Sequence, residues 1–143
     1  MNIVNTSLLR RLRQLIQRLY YRSSSKNYIR FLRKQGIEIG ENCRFRPKTT
    51  LVDITRPSLI SIGNNCVMNE YFTLLTHDFV TRVFYNSGRR FVNSSGRVKI
   101  GNNVCFGQRV MVLKGVTIGD NVFIGAGSWL KQVINFDKKH YRL

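Results

Sequence analysis

Residues 100–133 read IGNNVC FGQRVM VLKGVT IGDNVF IGAGSW LKQV, a run that keeps a strict phase of six. The first place of each six is large and apolar: Ile100, Phe106, Val112, Ile118, Ile124 and Leu130. Glycine follows at Gly101, Gly107, Gly119 and Gly125, and the fifth place is small or β-branched, as in Val104, Val110, Val116, Val122 and Ser128. A helix needs an apolar period near 3.6 and a simple strand a period of 2, so neither accounts for a six. Hexapeptide self-similarity is the mark of a parallel β-helix, in which each six supplies one short strand and a corner. Three sixes close a triangular coil, and coils stack at about 4.8 Å, the spacing of hydrogen-bonded strands. The fifth-place side chains are expected inside the coil. The glycines are expected at corners where φ is unusual.

Working outward, the same phase covers IGENCR, FRPKTT and LVDITR from Ile39, with an irregularity around Pro57. It resumes at Ile62 with IGNNCV, MNEYFT and LLTHDF. Residues 80–99 leave the pattern, and an excursion of that length from a coil commonly carries function. Past Leu130 the repeat fades into a basic tail at 136–143. The expected class is all-β: a β-helix over residues 37–135 with a loop at 80–99, preceded by a short N-terminal helical segment over 1–36.

That N-terminal segment decides the charge. The chain carries a net +17, and residues 1–36 hold nine basic residues and no acid. Leu8, Leu9, Leu12, Leu15, Ile16, Leu19 and Tyr20 recur at helical spacing with arginines opposite, which predicts an amphipathic helix capped by Ser7 and ending near Arg22. Ser23–Ser25 mark a break and a second cap before a shorter helix stopped by Gly36. Two readings stand: the pair shields the first coil, or a basic amphipathic anchor over residues 1–22 lies on an anionic membrane surface. No apolar run reaches 18 residues, and Arg10, Arg11 and Arg13 interrupt any signal core. The expected location is cytoplasmic, peripheral at the inner membrane face if the anchor reading holds. Cys43, Cys66 and Cys105 have neither the spacing nor the even count of a disulfide framework or zinc knuckle. Cys43 and Cys66 stand at fifth places and are expected to be buried as small hydrophobes.

From about Ile37 to Leu130, and most specifically in VTIGDNVFIGAGS, the sequence resembles the hexapeptide-repeat acyltransferases with a left-handed β-helix, in particular the branch that acetylates sugars. The resemblance implies left-handed coils, a homotrimer and acetyl-CoA as co-substrate, with no metal. It implies an O-acetyltransferase acting on a carbohydrate, either a cell-surface polysaccharide or a sugar precursor. The family's catalytic histidine occupies a THD-like motif before the loop, which corresponds to His77 in LLTHD. An imidazole there suits the task, since a sugar hydroxyl needs a base near neutral pH. Asp78 is the adjacent candidate for orienting His77, and Glu70 is a weaker one. No cysteine or serine stands in a nucleophile motif beside His77, so direct transfer is expected. In the family the pantetheine arm lies along the coils between subunits, which carries over to Gly107, Gly125, Ala126 and Ser128, with Lys131 as phosphate partner. Here the chain reads GAGSWLKQ where the family commonly reads GAGSVVTK, so lysine stands one place early and Gln132 takes its position. Two roles stay open for Trp129: stacking on adenine, or packing at a subunit interface.

Other function classes have less in their favour. A basic module for nucleic acid would want base-stacking aromatics along a groove, and the cations instead crowd one helix. A zinc hydratase on the same coils needs three histidines, and the chain has His77 and His140 alone. An inactive β-helix scaffold, or a membrane-binding module on that scaffold, is the alternative to the enzyme.

Overall fold

The computed structural model describes residues 3–77 and 95–131. Two helices come first, α1 (Ile3–Tyr21) and α2 (Ser25–Gln35). Among the described residues eleven short strands follow, in four turns of chain. The first turn contains β1 (Glu38–Ile39) and β2 (Leu51–Val52), and the second β3 (Ile60–Ile62), β4 (Val67–Met68) and β5 (Thr73–Leu74). The third contains β6 (Val98–Ile100), β7 (Cys105–Phe106) and β8 (Met111–Val112). The fourth contains β9 (Thr117–Ile118), β10 (Phe123–Ile124) and β11 (Trp129–Leu130). Each strand pairs in parallel with the one a full turn away, giving three sheets: β1-β3-β6-β9, β4-β7-β10 and β2-β5-β8-β11. This is the three-sided coil that the six-residue period demands.

Within each strand the first-place residue points inward and its predecessor outward, so Phe106 and Val112 are fully buried while Cys105 and Met111 are half-buried. Fifth-place Cys66, Val104 and Val110 fill the remaining interior. Cys43, by contrast, is only half-buried, because it lies in the outermost coil. The interior is fully buried across the second and third turns, between which the Phe72 and Phe106 rings meet at 4.9 Å between centroids. Val122, Ile124 and Leu130 in the fourth turn are only partly buried, having no further coil above them among the described residues.

The second-place glycines do a different job from the one expected. Their φ angles are ordinary; the left-handed corners are taken mainly by fourth-place asparagines, Asn42, Asn65, Asn103 and Asn121, with φ of 56–58°. Asparagine tolerates that conformation better than other side chains. These residues also form a ladder, Asn65 Nδ2 donating to Asn103 Oδ1 at 2.9 Å and Asn103 Nδ2 to Asn121 Oδ1 at 2.8 Å. The glycines instead allow coils to stack. A Cβ on Gly63 would lie 2.6 Å from the Gly101 carbonyl oxygen, whereas one on Gly119 would meet nothing within 4 Å among the described residues. Gly63→Ala is therefore expected to cost about 1–3 kcal/mol, the usual penalty of forcing atoms into a packed site. Gly119→Ala should stay within about 0.5 kcal/mol of neutral. Paired urea titrations check both, and equal midpoints for the two variants would remove the stacking argument.

α2 seals the first coil. Its N-cap is Ser24, whose hydroxyl accepts from the Asn27 amide, and Gly36 ends it at φ 102°. Tyr28, Ile29 and Leu32 are buried against the coil, with Tyr28 edge-on to Phe45 at 5.7 Å. Burial pushes the Tyr28 phenol up to about 12. α1 departs from expectation twice. It begins at Ile3, so Ser7 lies within the helix and is no cap. Its apolar residues from Leu8 to Tyr20, moreover, face solvent, which departs from the shielding reading but not from the anchor reading.

The excursion is also shorter than expected, since Val98 and Lys99 already belong to β6, paired with Ile60 and Ser61. The stretch 78–94 and the tail at 136–143 lie outside the described residues.

Candidate active site

His77 stands where the chain leaves the coils, one corner past β5. Ser95 brings the chain back opposite it in an antiparallel bridge, and the Gly96 amide donates to the Thr76 carbonyl at 2.9 Å. The imidazole is half-buried. Its Nδ1 lies 2.6 Å from Asp53 Oδ2 and 3.3 Å from Thr55 Oγ1. Asp53 comes from the coil below. The parallel register of β2 on β5 sets Val52 beside Leu74, and the Asp53 amide continues the ladder by donating to the Leu74 carbonyl at 2.9 Å. Its side chain consequently emerges under Thr76 and His77.

Asp53 is 6% exposed, and every described contact of its carboxylate is a donor. Oδ1 accepts from the Thr55 amide at 2.9 Å and the Thr55 hydroxyl at 2.6 Å. Oδ2 accepts from the Thr76 amide at 3.1 Å and the Thr76 hydroxyl at 2.5 Å, besides His77. Burial by itself would raise the carboxyl. The hydrogen bonds from Thr55, Thr76 and His77 outweigh it and hold Asp53 well below the usual carboxylate range. An ionised Asp53 can only accept, so His77 Nδ1 must carry the proton and Nε2 is the basic nitrogen of the ring. A base with a buried carboxylate fixing its tautomer is the arrangement that acyl transfer to a hydroxyl calls for.

Asp53 is the residue that the sequence reading missed. Asp78 lies outside the described residues. Glu70 is engaged elsewhere, 3.3 Å from the Arg46 guanidinium and accepting from Gln108 Nε2 at 3.2 Å. The only available signal was the acid in LVDITR, one coil before THD.

The remaining candidate residues cluster on the third and fourth turns. Gly107 owes its glycine to stacking, since a Cβ there would lie 2.5 Å from the Ala126 nitrogen. Ala126 and Gly125 are exposed, and Gly127 between Ala126 and Ser128 turns at φ 73°. Ser128 donates its hydroxyl to the Gly125 carbonyl at 2.8 Å and accepts the Met111 amide on its own carbonyl at 2.9 Å. Trp129 is 71% exposed and Lys131 follows it on the surface. Leu51, Thr73, Met111 and Trp129 are in register across β2, β5, β8 and β11, forming one outward column. Trp129 thus stands two coil steps, about 10 Å, above Thr73 on the side of the coil that leads to His77.

Comparison with known proteins agrees with this architecture. The family model described as bacterial transferase hexapeptide (six repeats) matches residues 97–132. Protein CapG of Staphylococcus aureus is 35% identical over 106 residues, 74% of this chain and 59% of CapG. Galactoside O-acetyltransferase of Escherichia coli is 37% identical over 94 residues, covering 65% of this chain and 43% of that enzyme. This chain thus spans about half the length of the curated relatives it matches. A crystal structure of a maltose O-acetyltransferase from Clostridium difficile superposes with a TM-score of 0.50 at 24% identity, over 83% of this chain and 73% of that one. Six-residue periodicity, three parallel sheets and these similarities together mark the chain as a hexapeptide-repeat protein over residues 97–132, similar in sequence to Protein CapG and galactoside O-acetyltransferase and in fold to the maltose O-acetyltransferase.

Proposed function

We propose that this chain transfers the acetyl group of acetyl-CoA to a hydroxyl of a carbohydrate, with His77 as general base. The observation behind the reading is the 2.6 Å contact between His77 Nδ1 and the buried, ionised Asp53. In this reading His77 Nε2 takes the proton of the sugar hydroxyl as its oxygen attacks the thioester carbonyl carbon. His77 then returns that proton to the sulfur as the carbon–sulfur bond breaks. Protons balance, and no covalent enzyme intermediate is needed. Asp53 keeps its charge throughout and steadies the imidazolium.

Acetyl-CoA is read as lying along the third and fourth turns, against the backbone of Gly107, Gly125, Ala126 and Ser128. Lys131 takes a phosphate and Trp129 the adenine. The coils are read as left-handed and the active form as a homotrimer, in which the outward column that includes Leu51 and Met111 meets a neighbouring subunit. Closed symmetry is the usual way to cover such a face. The acceptor is read as a sugar precursor or a cell-surface polysaccharide.

Purified protein incubated with acetyl-CoA and a panel of neutral and anionic sugars tests the reading through release of free thiol. Acceptor-dependent release with micromolar affinity for acetyl-CoA is expected. No release with any acceptor, together with no binding of acetyl-CoA up to millimolar concentration, would leave the scaffold reading in its place.

A further inference from the structure

Helix α1 exposes an apolar face that nothing among the described residues covers. Leu8, Leu12, Leu15 and Leu19 fall on one line, widened by Leu9 and Ile16, and all six are 47–65% exposed. At 100° per residue the face spans about 140° of the helix with Tyr20 included. Arg11 and Arg13 border it on either side. α1 is tied to the rest of the chain from its opposite face: the Tyr21 ring lies 4.9 Å from Phe31, and the Arg22 guanidinium donates to the Pro47 carbonyl at 3.1 Å. The leucines are therefore directed away from the coils by the way the helix is attached.

The surface beside this face is basic. Lys26, Arg30 and Lys34 make a stripe along α2, and with Arg44 they line a groove of about 830 Å³ against the first coil. The acid in that groove, Glu41, already pairs with Arg33 at 2.9 Å. Arg30 donates to the Tyr20 hydroxyl at 3.2 Å, so the stripe adjoins the rim of the apolar face. Residues 1–36 contain nine cations and no acid.

We propose that α1 and the basic stripe of α2 together dock the protein on an anionic lipid bilayer, leucines among the acyl chains and cations on headgroup phosphates. Each signal alone binds a membrane weakly, and stable attachment takes an apolar and an electrostatic one together. Charge selects this occupant over a second copy of the chain, since pairing two α1 faces would set arginine against arginine with no acid to offset them. No described helix is long and apolar enough to cross a membrane, so attachment would be at the surface. The proposal is independent of the acetyl-transfer reading.

The test is flotation of the full chain with vesicles of phosphatidylcholine alone or with 30% phosphatidylglycerol. Binding is expected only with the anionic lipid and is expected to weaken strongly in 0.5 M salt. Leu12→Glu/Ile16→Glu should abolish it, and Lys26→Glu or Lys34→Glu should each lower partitioning about fivefold. Unchanged circular dichroism and thermal midpoint would show that these variants still fold. Equal binding to both vesicle types, no binding to either, or retained binding by the double variant would overturn the proposal. So would a double variant whose main effect is loss of self-association, which would identify a second copy as the occupant.

Discussion

Replacing His77 by alanine is expected to lower acetyl transfer by roughly 10²–10⁴, the worth of a positioned acid–base group. Affinity for acetyl-CoA should hardly change, because the residues assigned to bind it lie on the third and fourth turns and not at the His77 corner. The loss should therefore fall on turnover, as expected when the missing group acts on the transition state. Steady-state rates on an established acceptor, with calorimetry for acetyl-CoA, make the measurement. A His77→Ala protein with near-normal turnover would remove His77 as the base while leaving the fold untouched. Replacing His140 serves as the control, with little effect expected.

The second large effect concerns Asp53. Asp53→Asn preserves shape but turns one acceptor into a donor. The new amide nitrogen can then donate to His77 Nδ1, which places the ring proton on Nε2 and leaves no lone pair for the acceptor hydroxyl. Wrong-tautomer substitutions of this kind cost about 10⁴ in a serine-protease triad, so a loss of roughly 10²–10⁴ is expected here. Stability should change as well, with a definite sign. The folded Asp53 carboxyl sits below its ordinary value of 3.8, so the unfolded chain binds that proton more tightly. Its contribution is complete above the unfolded value and is lost as pH falls through the folded one. Urea midpoints of the native protein should accordingly fall as the solution is acidified below about pH 4, and Asp53→Asn should flatten that dependence. A variant with native turnover and a native acid profile would sever Asp53 from both roles.

The sequence by itself determined the coils. A six-residue period with apolar first places and small fifth places can be satisfied by only one kind of strand-and-corner geometry, because both sets of side chains must reach the same narrow interior. His77 was nominated by the resemblance of LLTHD to the family's THD-like motif, and not by the residues alone. A second cap within Ser23–Ser25 and the stop at Gly36 were legible because such helix ends are decided within a few residues, although Ser7 proved to be no cap. The sequence left open what lies across from a residue one coil away. That depends on how many residues each turn consumes, and the irregularity around Pro57 makes the count unreadable in advance. In the structure Thr73 lies beside Leu51 and Leu74 beside Val52, so Asp53 arrives under Thr76 and His77 though 24 residues separate it from the histidine. The glycines teach the same lesson. Local chemistry suggested freedom at φ, but contact with the next coil is what excludes a side chain at Gly63. Tertiary structure also decided which way α1 faces, because its amphipathic pattern fits equally well against a coil or away from one. What settles it is the attachment of Tyr21 and Arg22, which leaves the leucines outward.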